Sequence, residues 1–149
     1  MYKVYIKPLT MEEVEKAVAL EETCFSSPWS KQAFVDTVTK DCYRYYAAYV
    51  DSEYVGTAGL ILRYDEADIS NVAVHPDWRG KGIASMLMEH VIQEAQEQGL
   101  HSLLLEVREG NTSARRLYEK TGFVIDGVRK NYYQNPVEDA VLMSRKLPL

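Results

Sequence analysis

The passage I-S-N-V-A-V-H-P-D-W-R-G-K-G-I-A, residues 69–84, constrains the fold of this chain more than any other. It opens as an apolar strand, breaks at Pro76, turns through Arg79-Gly80-Lys81-Gly82 and enters a helix. From Gly82 to Gln98 the residues Ala84, Leu87, Met88, Val91, Ile92 and Ala95 recur at helical spacing, with Glu89, Gln93 and Glu97 opposite them. Gly99 stands where a C′ glycine ends a helix. The run from His101 to Val107 is then a strand. Leu103, Leu104 and Leu105 make it apolar on both faces, so it belongs inside a sheet. Strand, helix and strand within about 40 residues imply a right-handed parallel crossover.

The flanking segments supply antiparallel partners. Met1-Tyr2-Lys3-Val4-Tyr5-Ile6-Lys7 alternates like a strand, with Val4 and Ile6 on one face and Pro8 at its end. Thr10 and Glu13 have the T-x-x-E spacing of a capping box, with Leu9 and Val14 placed as a hydrophobic staple. The helix after them is expected to bury Val14, Ala17, Val18 and Phe25. Ser26-Ser27-Pro28-Trp29-Ser30 reads as a loop, and Ser30 as the N-cap of a short helix through Val38. Residues 43–50 and 54–62 form a predicted hairpin, in which Gly56 and Gly59 mark a bulge or a close backbone approach. A strand over 68–74 follows. Asn111 caps a helix that ends at Gly122, and 123–128 and 139–146 are two closing strands. No linker or repeat interrupts residues 1–149, which read as one α/β domain with a mixed sheet and helices on its faces.

The net charge of −5 argues against a general nucleic-acid binder while allowing a basic peptide partner. No apolar run is long enough to span a membrane, and the first residues lack a signal-peptide core. Cys24 and Cys42 are isolated and lack metal-ligand spacing, which points to a reduced cytoplasmic setting and no metal.

Three features carry chemistry. Arg79-Gly80-Lys81-Gly82-Ile83-Ala84 fits R-x-x-G-x-A at a strand-to-helix turn. Backbone N–H groups there, from Gly80 to Ser85, can hold a pyrophosphate. The turn is neither a P-loop nor the dinucleotide fingerprint, and it could equally serve the crossover alone. Glu106 is the one ionised residue in 102–107; at the end of an internal strand it is expected to be desolvated and suited to act as a base. The alternative is a structural pair with Arg108 or Arg129. Tyr118 lies on the apolar side of the next helix, where a buried tyrosine is usually core with a satisfied hydroxyl. Trp29 and Arg129-Lys130-Asn131-Tyr132-Tyr133 can line a groove or simply pack.

Taken together, Ser27-Pro28-Trp29-Ser30, Asn71-Val72-Ala73-Val74, Leu105-Glu106-Val107-Arg108, Leu117-Tyr118-Glu119-Lys120-Thr121-Gly122-Phe123, Arg129-Lys130-Asn131-Tyr132-Tyr133 and Glu138-Asp139-Ala140 span nearly the whole chain. Their order resembles the GNAT acyl-CoA-dependent N-acetyltransferases, and within them the RimI subfamily of ribosomal-protein alanine N-acetyltransferases. The resemblance implies a mostly antiparallel sheet whose central parallel strands splay. Acetyl-CoA would lie beside Val72, Ala73 and Val74, with its pyrophosphate on Arg79, Gly80, Lys81, Gly82, Ile83, Ala84 and Ser85, and with Asn111 on the other side. It also implies Glu106 as general base and Tyr118 as general acid for direct attack of an amine on the thioester. Trp29, Arg129, Asn131, Tyr132 and Tyr133 would meet the acceptor, the N-terminal alanine of a ribosomal protein. Another N-terminus, a lysine or a small amine is the alternative acceptor, and a noncatalytic acyl-CoA-binding module is the alternative class.

Overall fold

Strand β2 (Tyr43–Val50) divides the interior by simple alternation. Tyr46, Ala48 and Val50 belong to one apolar cluster, whereas Tyr43, Tyr45, Ala47 and Tyr49 belong to a second. In the computed structural model, which describes residues 3–148, β2 is one of seven strands among those residues. The others are β1 (Val4–Pro8), β3 (Glu53–Arg63), β4 (Glu66–Val74), β5 (Ser102–Arg108), β6 (Val124–Tyr133) and β7 (Glu138–Lys146). They form one sheet in the order β1-β2-β3-β4-β5-β7-β6. Met1 and Tyr2, read above as the start of the first strand, lie outside the described residues. Helices α1 (Val14–Cys24) and α2 (Lys31–Thr39) feed the Tyr45 cluster, through Val14, Ala17 and Phe34. Helices α3 (Ile83–Glu97) and α4 (Thr112–Lys120) feed the Tyr46 cluster. The two clusters are the two layers around the sheet.

The expected crossover is present: β4 and β5 are the parallel neighbours, and α3 joins them with Ile83, Leu87, Met88, Val91, Ile92 and Ala95 buried. Their ladder is short. Glu66, Ala67 and Asp68 pair with Ser102, Leu103 and Leu104, and the register ends there. Beyond it, β4 stays on β3 out to Val74, and β5 stays on β7 out to Arg108. The sheet is therefore two antiparallel halves joined at one end of their central strands and parted at the other.

Two expectations are corrected. Phe25 is 38% exposed, and Leu20 is buried in its place. α1 ends at Cys24, so Phe25 is an extended C-cap that has left the helical stripe. The final hairpin is also longer than expected, because β6 continues through Arg129 to Tyr133.

The predicted capping box closes on a carboxylate that anchors α1. The Glu13 carboxylate accepts from the N–H and Oγ of Thr10, both at 2.9 Å, and from the Tyr49 hydroxyl at 2.6 Å. Lys7 Nζ lies at 3.0 Å. Burial pushes the Glu13 carboxyl up, but the hydrogen bonds from Tyr49, Lys7 and Thr10 outweigh it and hold the group at about 2. A folded value below the ordinary 4.5 stabilises the protein above pH 4.5, and that contribution fades as pH falls toward 2. Glu13→Gln should cost on the order of 1–2 kcal/mol at pH 7, allowing for screening at the exposed Lys7 side. Urea unfolding across pH should show the gap from wild type closing between pH 4.5 and 2; a gap constant down to pH 2 would contradict this role for Glu13.

Candidate active site

Where β4 and β5 part, the chain encloses a cleft of about 1070 Å³. The α1–α2 loop, α4, and the far end of β6 supply its walls. Of the residues singled out from sequence, Trp29, Val72, Glu106, Asn111, Tyr118, Arg129, Tyr132 and Tyr133 line it together. Ala73 and Val74 do not, being buried in the sheet. Asn131 does not either. It sits at φ 53° in an irregular stretch of β6, exposed, with its N–H donating to Asp139 Oδ1 at 2.8 Å.

The residue 79–85 turn stands apart from these walls, at the N-terminus of the 15-residue α3. Gly80 and Gly82 hold φ of 75° and 82°, and a Cβ built on either would meet nothing within 4 Å. The first N–H groups of α3 have no acceptor within the helix, so the turn offers donors, a dipole and open approach for an anion. Arg79 is tied inward: its Nε donates to the Val74 carbonyl at 3.0 Å, and Nη2 lies 3.5 Å from Cys24 Sγ. That contact places the guanidinium at the junction of β4 and the turn. Lys81 is exposed. Cys24 is half-buried at the lip of the cleft, where burial raises its thiol above the ordinary value.

Glu106 is exposed, against the expectation of desolvation. Along β5 the buried Leu103, Leu105 and Val107 face one layer, and Glu106 faces the other, lining the cleft beyond the last β4–β5 pair. Its neighbours are tyrosines. The Tyr132 phenol is raised first by hydrogen bonding to the Glu106 carboxylate and then by burial. Tyr133 is pushed up to about 12 by burial and by the same negative charge. Tyr118, 7% exposed, is raised by burial and then by Tyr133. Arg108, offered above as a structural partner for Glu106, instead pairs with Glu138 at 3.1 Å. It also donates to the carbonyls of Gln134 and Pro136, at 2.7 and 2.9 Å, and its guanidinium lies 4.6 Å from the Tyr133 ring centre. Arg108 thus pins the β6–β7 turn beside the cleft. Asn111 caps α4 as expected, with Oδ1 accepting from the Ala114 N–H at 3.2 Å.

Sequence reasoning missed a polar network on the α1 side of the cleft. Between the pairs Thr57–Ala73 and Gly59–Ser70, β4 carries two residues, Asn71 and Val72, against one on β3. Asn71 occupies this bulge at φ 56°. Its Nδ2 donates to both carboxylate oxygens of Glu21 at 3.1 Å, and its Oδ1 accepts from Tyr45 at 2.6 Å and Ser70 at 2.7 Å. Glu21 also accepts from the Trp29 N–H at 3.3 Å. A signal for it was present: Glu21 shares the stripe of Val14 and Ala17, and a carboxylate on a core stripe is an informative anomaly.

A seven-stranded sheet split at its parallel pair, with an open glycine turn beneath the split, defines an acyl-transfer architecture. The sequence matches the Acetyltransferase (GNAT) family over residues 14–123, and the chain belongs to that family. Its relatives include the ribosomal protein bS18-alanine N-acetyltransferase of Salmonella typhimurium, 33% identical over 141 residues, or 93% of this chain and 95% of that one. The Escherichia coli enzyme of the same name is 32% identical, with the same coverage. The crystal structure of the ribosomal-protein-S18-alanine N-acetyltransferase from Escherichia coli is similar, with a TM-score of 0.92 at 30% identity, covering 99% of this chain and 96% of that one.

The frame of the site is most sensitive at Gly59. A Cβ there would lie 2.4 Å from the ring of Tyr45, which is itself buried and packs against Trp29. Gly59→Ala should therefore destabilise the protein by about 1–3 kcal/mol through overpacking. Denaturant unfolding measures this, and a variant as stable as wild type would show that the Tyr45 ring can yield.

Proposed function

We propose that this chain transfers the acetyl group of acetyl-CoA to the α-amine of an N-terminal alanine, with ribosomal protein bS18 as acceptor. The observation that carries the reading is the parting of β4 from β5 after Asp68 and Leu104, with Glu106 and Tyr118 on the walls of the resulting cleft. The near full-length match to enzymes named for that reaction supports the acceptor. With a ribosomal acceptor, the reaction belongs to the cytoplasm.

The residues fit acetyl-CoA. Gly80 and Gly82 leave an open cradle at the start of α3, suited to the pyrophosphate together with Arg79, Lys81, Ile83, Ala84 and Ser85. Val72 and Asn111 line the cleft and would flank the pantetheine arm, alongside Ala73 and Val74. Acetyl-CoA supplies the acetyl group as a thioester open to direct attack by an amine. Glu106 takes the proton from that amine, with Tyr132 steadying its carboxylate. Trp29, Arg129 and Tyr133 form the walls against which the acceptor peptide lies. Tyr118 is protonated over the working pH range, since burial raises it, and is the donor to the departing sulfur, whose developing thiolate the same burial makes more basic.

Magnitudes favour an α-amine over lysine. Deprotonating an α-amine of pKa about 8 at pH 7 costs about 1.4 kcal/mol, against about 4.6 for a lysine of pKa about 10.4. An exposed carboxylate such as Glu106 suits the less demanding acceptor.

Mixing the protein with acetyl-CoA and a peptide bearing the bS18 N-terminus should place one acetyl on the alanine amine, located by mass spectrometry. Acetyl found only on internal lysines would refute the acceptor. Glu106→Gln should reduce turnover by about 10²–10⁴-fold with acetyl-CoA affinity within twofold of wild type by calorimetry. Near-wild-type turnover would remove Glu106 from the base role. Gly82→Val should behave in the opposite way, weakening acetyl-CoA binding, because a β-branched residue resists φ near 82° and narrows the approach to the backbone. Unchanged affinity would leave the turn a purely structural one.

A further inference from the structure

The buried carboxylate of Glu21 takes no part in the chemistry above, yet it is 5% exposed, lines the cleft and accepts hydrogen bonds from two different walls. From one wall comes the side-chain amide of Asn71, in the β4 bulge; from the other comes the backbone N–H of Trp29, in the α1–α2 loop. Among the described residues, no cation stands among its hydrogen-bond partners. Burying an acid on those terms raises its pKa and sacrifices stability. A carboxylate kept in such a place has a use other than stabilising the fold.

We infer that Glu21 is a positioning residue that couples the acceptor-side loop to the thioester-side strand. The coupling runs in one line. Gly59 leaves room for the Tyr45 ring, whose hydroxyl reaches Asn71 Oδ1 at 2.6 Å. With Oδ1 committed to the Tyr45 and Ser70 hydroxyls, Nδ2 must face Glu21, and this fixes both the amide and the left-handed backbone of the bulge. The bulge sets the course of Val72, Ala73 and Val74. Glu21 then holds Trp29, whose indole packs 5.5 Å from Phe34 and 5.8 Å from Tyr45, centre to centre. A shift of the loop is thereby felt at the strand, and the reverse. No other residue in the cleft is hydrogen-bonded to both α1–α2 loop backbone and the bulge among the bonds described.

Gln at position 21 keeps the shape but sets an NH₂ group against a donor, because every partner of this carboxylate is an N–H. Tyr45→Phe keeps the ring and removes only the hydroxyl that orients Asn71. This inference rests on the acetyl-transfer reading for its kinetics but not for its structural readout, so the test has both. In the full-length protein, Glu21→Gln and Tyr45→Phe should each lower kcat by about tenfold. The double variant should be no worse than the poorer single one, with acetyl-CoA affinity held within twofold. Amide exchange followed by NMR should quicken at Trp29 by about tenfold in both variants, although Tyr45 makes no hydrogen bond to Trp29. Unchanged Trp29 exchange in Tyr45→Phe overturns the coupling, as do losses that multiply in the double variant. If Glu21→Gln fails to fold, Tyr45→Phe alone decides the matter. If the wild-type protein leaves the alanine peptide unmodified, the acceptor reading fails while the exchange result still decides this one.

Discussion

The structure depends on the parallel ladder between β4 and β5 ending after three residue pairs. Each strand has a better commitment on its other side. β4 follows β3 antiparallel to Val74, and β5 follows β7 antiparallel along its whole length. Parallel pairing is slightly weaker per residue than antiparallel pairing. The bulge at Asn71 and Val72 then changes the course of β4 just beyond the last shared pair. Parting there forfeits a few weak bonds and leaves peptide groups facing a cleft instead of a core. Those groups need partners, and a ligand with its own amides can supply them. The split makes a binding site out of what would otherwise be an unbroken sheet.

Two buried glutamates in one stretch of chain show how the molecule separates stability from function. Glu13 is surrounded by donors that include a lysine ammonium, and its carboxyl is held far below the usual range. Glu21, eight positions later, has amide donors alone, and its carboxyl is driven up by burial. The first arrangement stabilises the fold at neutral pH; the second works against it. Both are nearly inaccessible to solvent, so what turns the two carboxyls in opposite directions is the set of partners around each.

What was legible in the sequence was local. The helical period of α3, the capping box at Thr10, the N-caps Ser30 and Asn111 and the glycine turn each depend on residues a few positions apart, and each appears where the pattern predicts. The crossover and the splayed pair also emerged, the second through family resemblance. What failed depended on distant chain. Glu106 looked desolvated because its neighbours in sequence are apolar, but alternation sends it away from the buried leucines and into the open cleft. Phe25 looked helical because the period continues, but the helix does not. Asn131 stands next to Tyr132 and Tyr133 in sequence but does not line the cleft with them, because it sits in the irregular stretch of β6 with its N–H bonded to Asp139. Gly59 was read as a close approach, and the thing approaching is the ring of Tyr45.

The division of the cleft explains why a second kind of residue is required. The open glycine turn lies between β4 and α3, and Arg79 ties that turn back to the end of β4. Other walls of the cleft belong to the α1–α2 loop and to β6, the latter pinned by Arg108 through Glu138 and two carbonyls. The β6 wall lies across the split from the β4–α3 turn, where the sheet no longer registers one half against the other, whereas the α1–α2 loop lies on the β4 side. Direct transfer between two bound partners needs their reacting atoms aligned closely, and small misplacement is expensive. On the β4 side of the opening, a carboxylate bonded to both a loop amide and a strand bulge holds the α1–α2 loop against the strand that the cleft exposes.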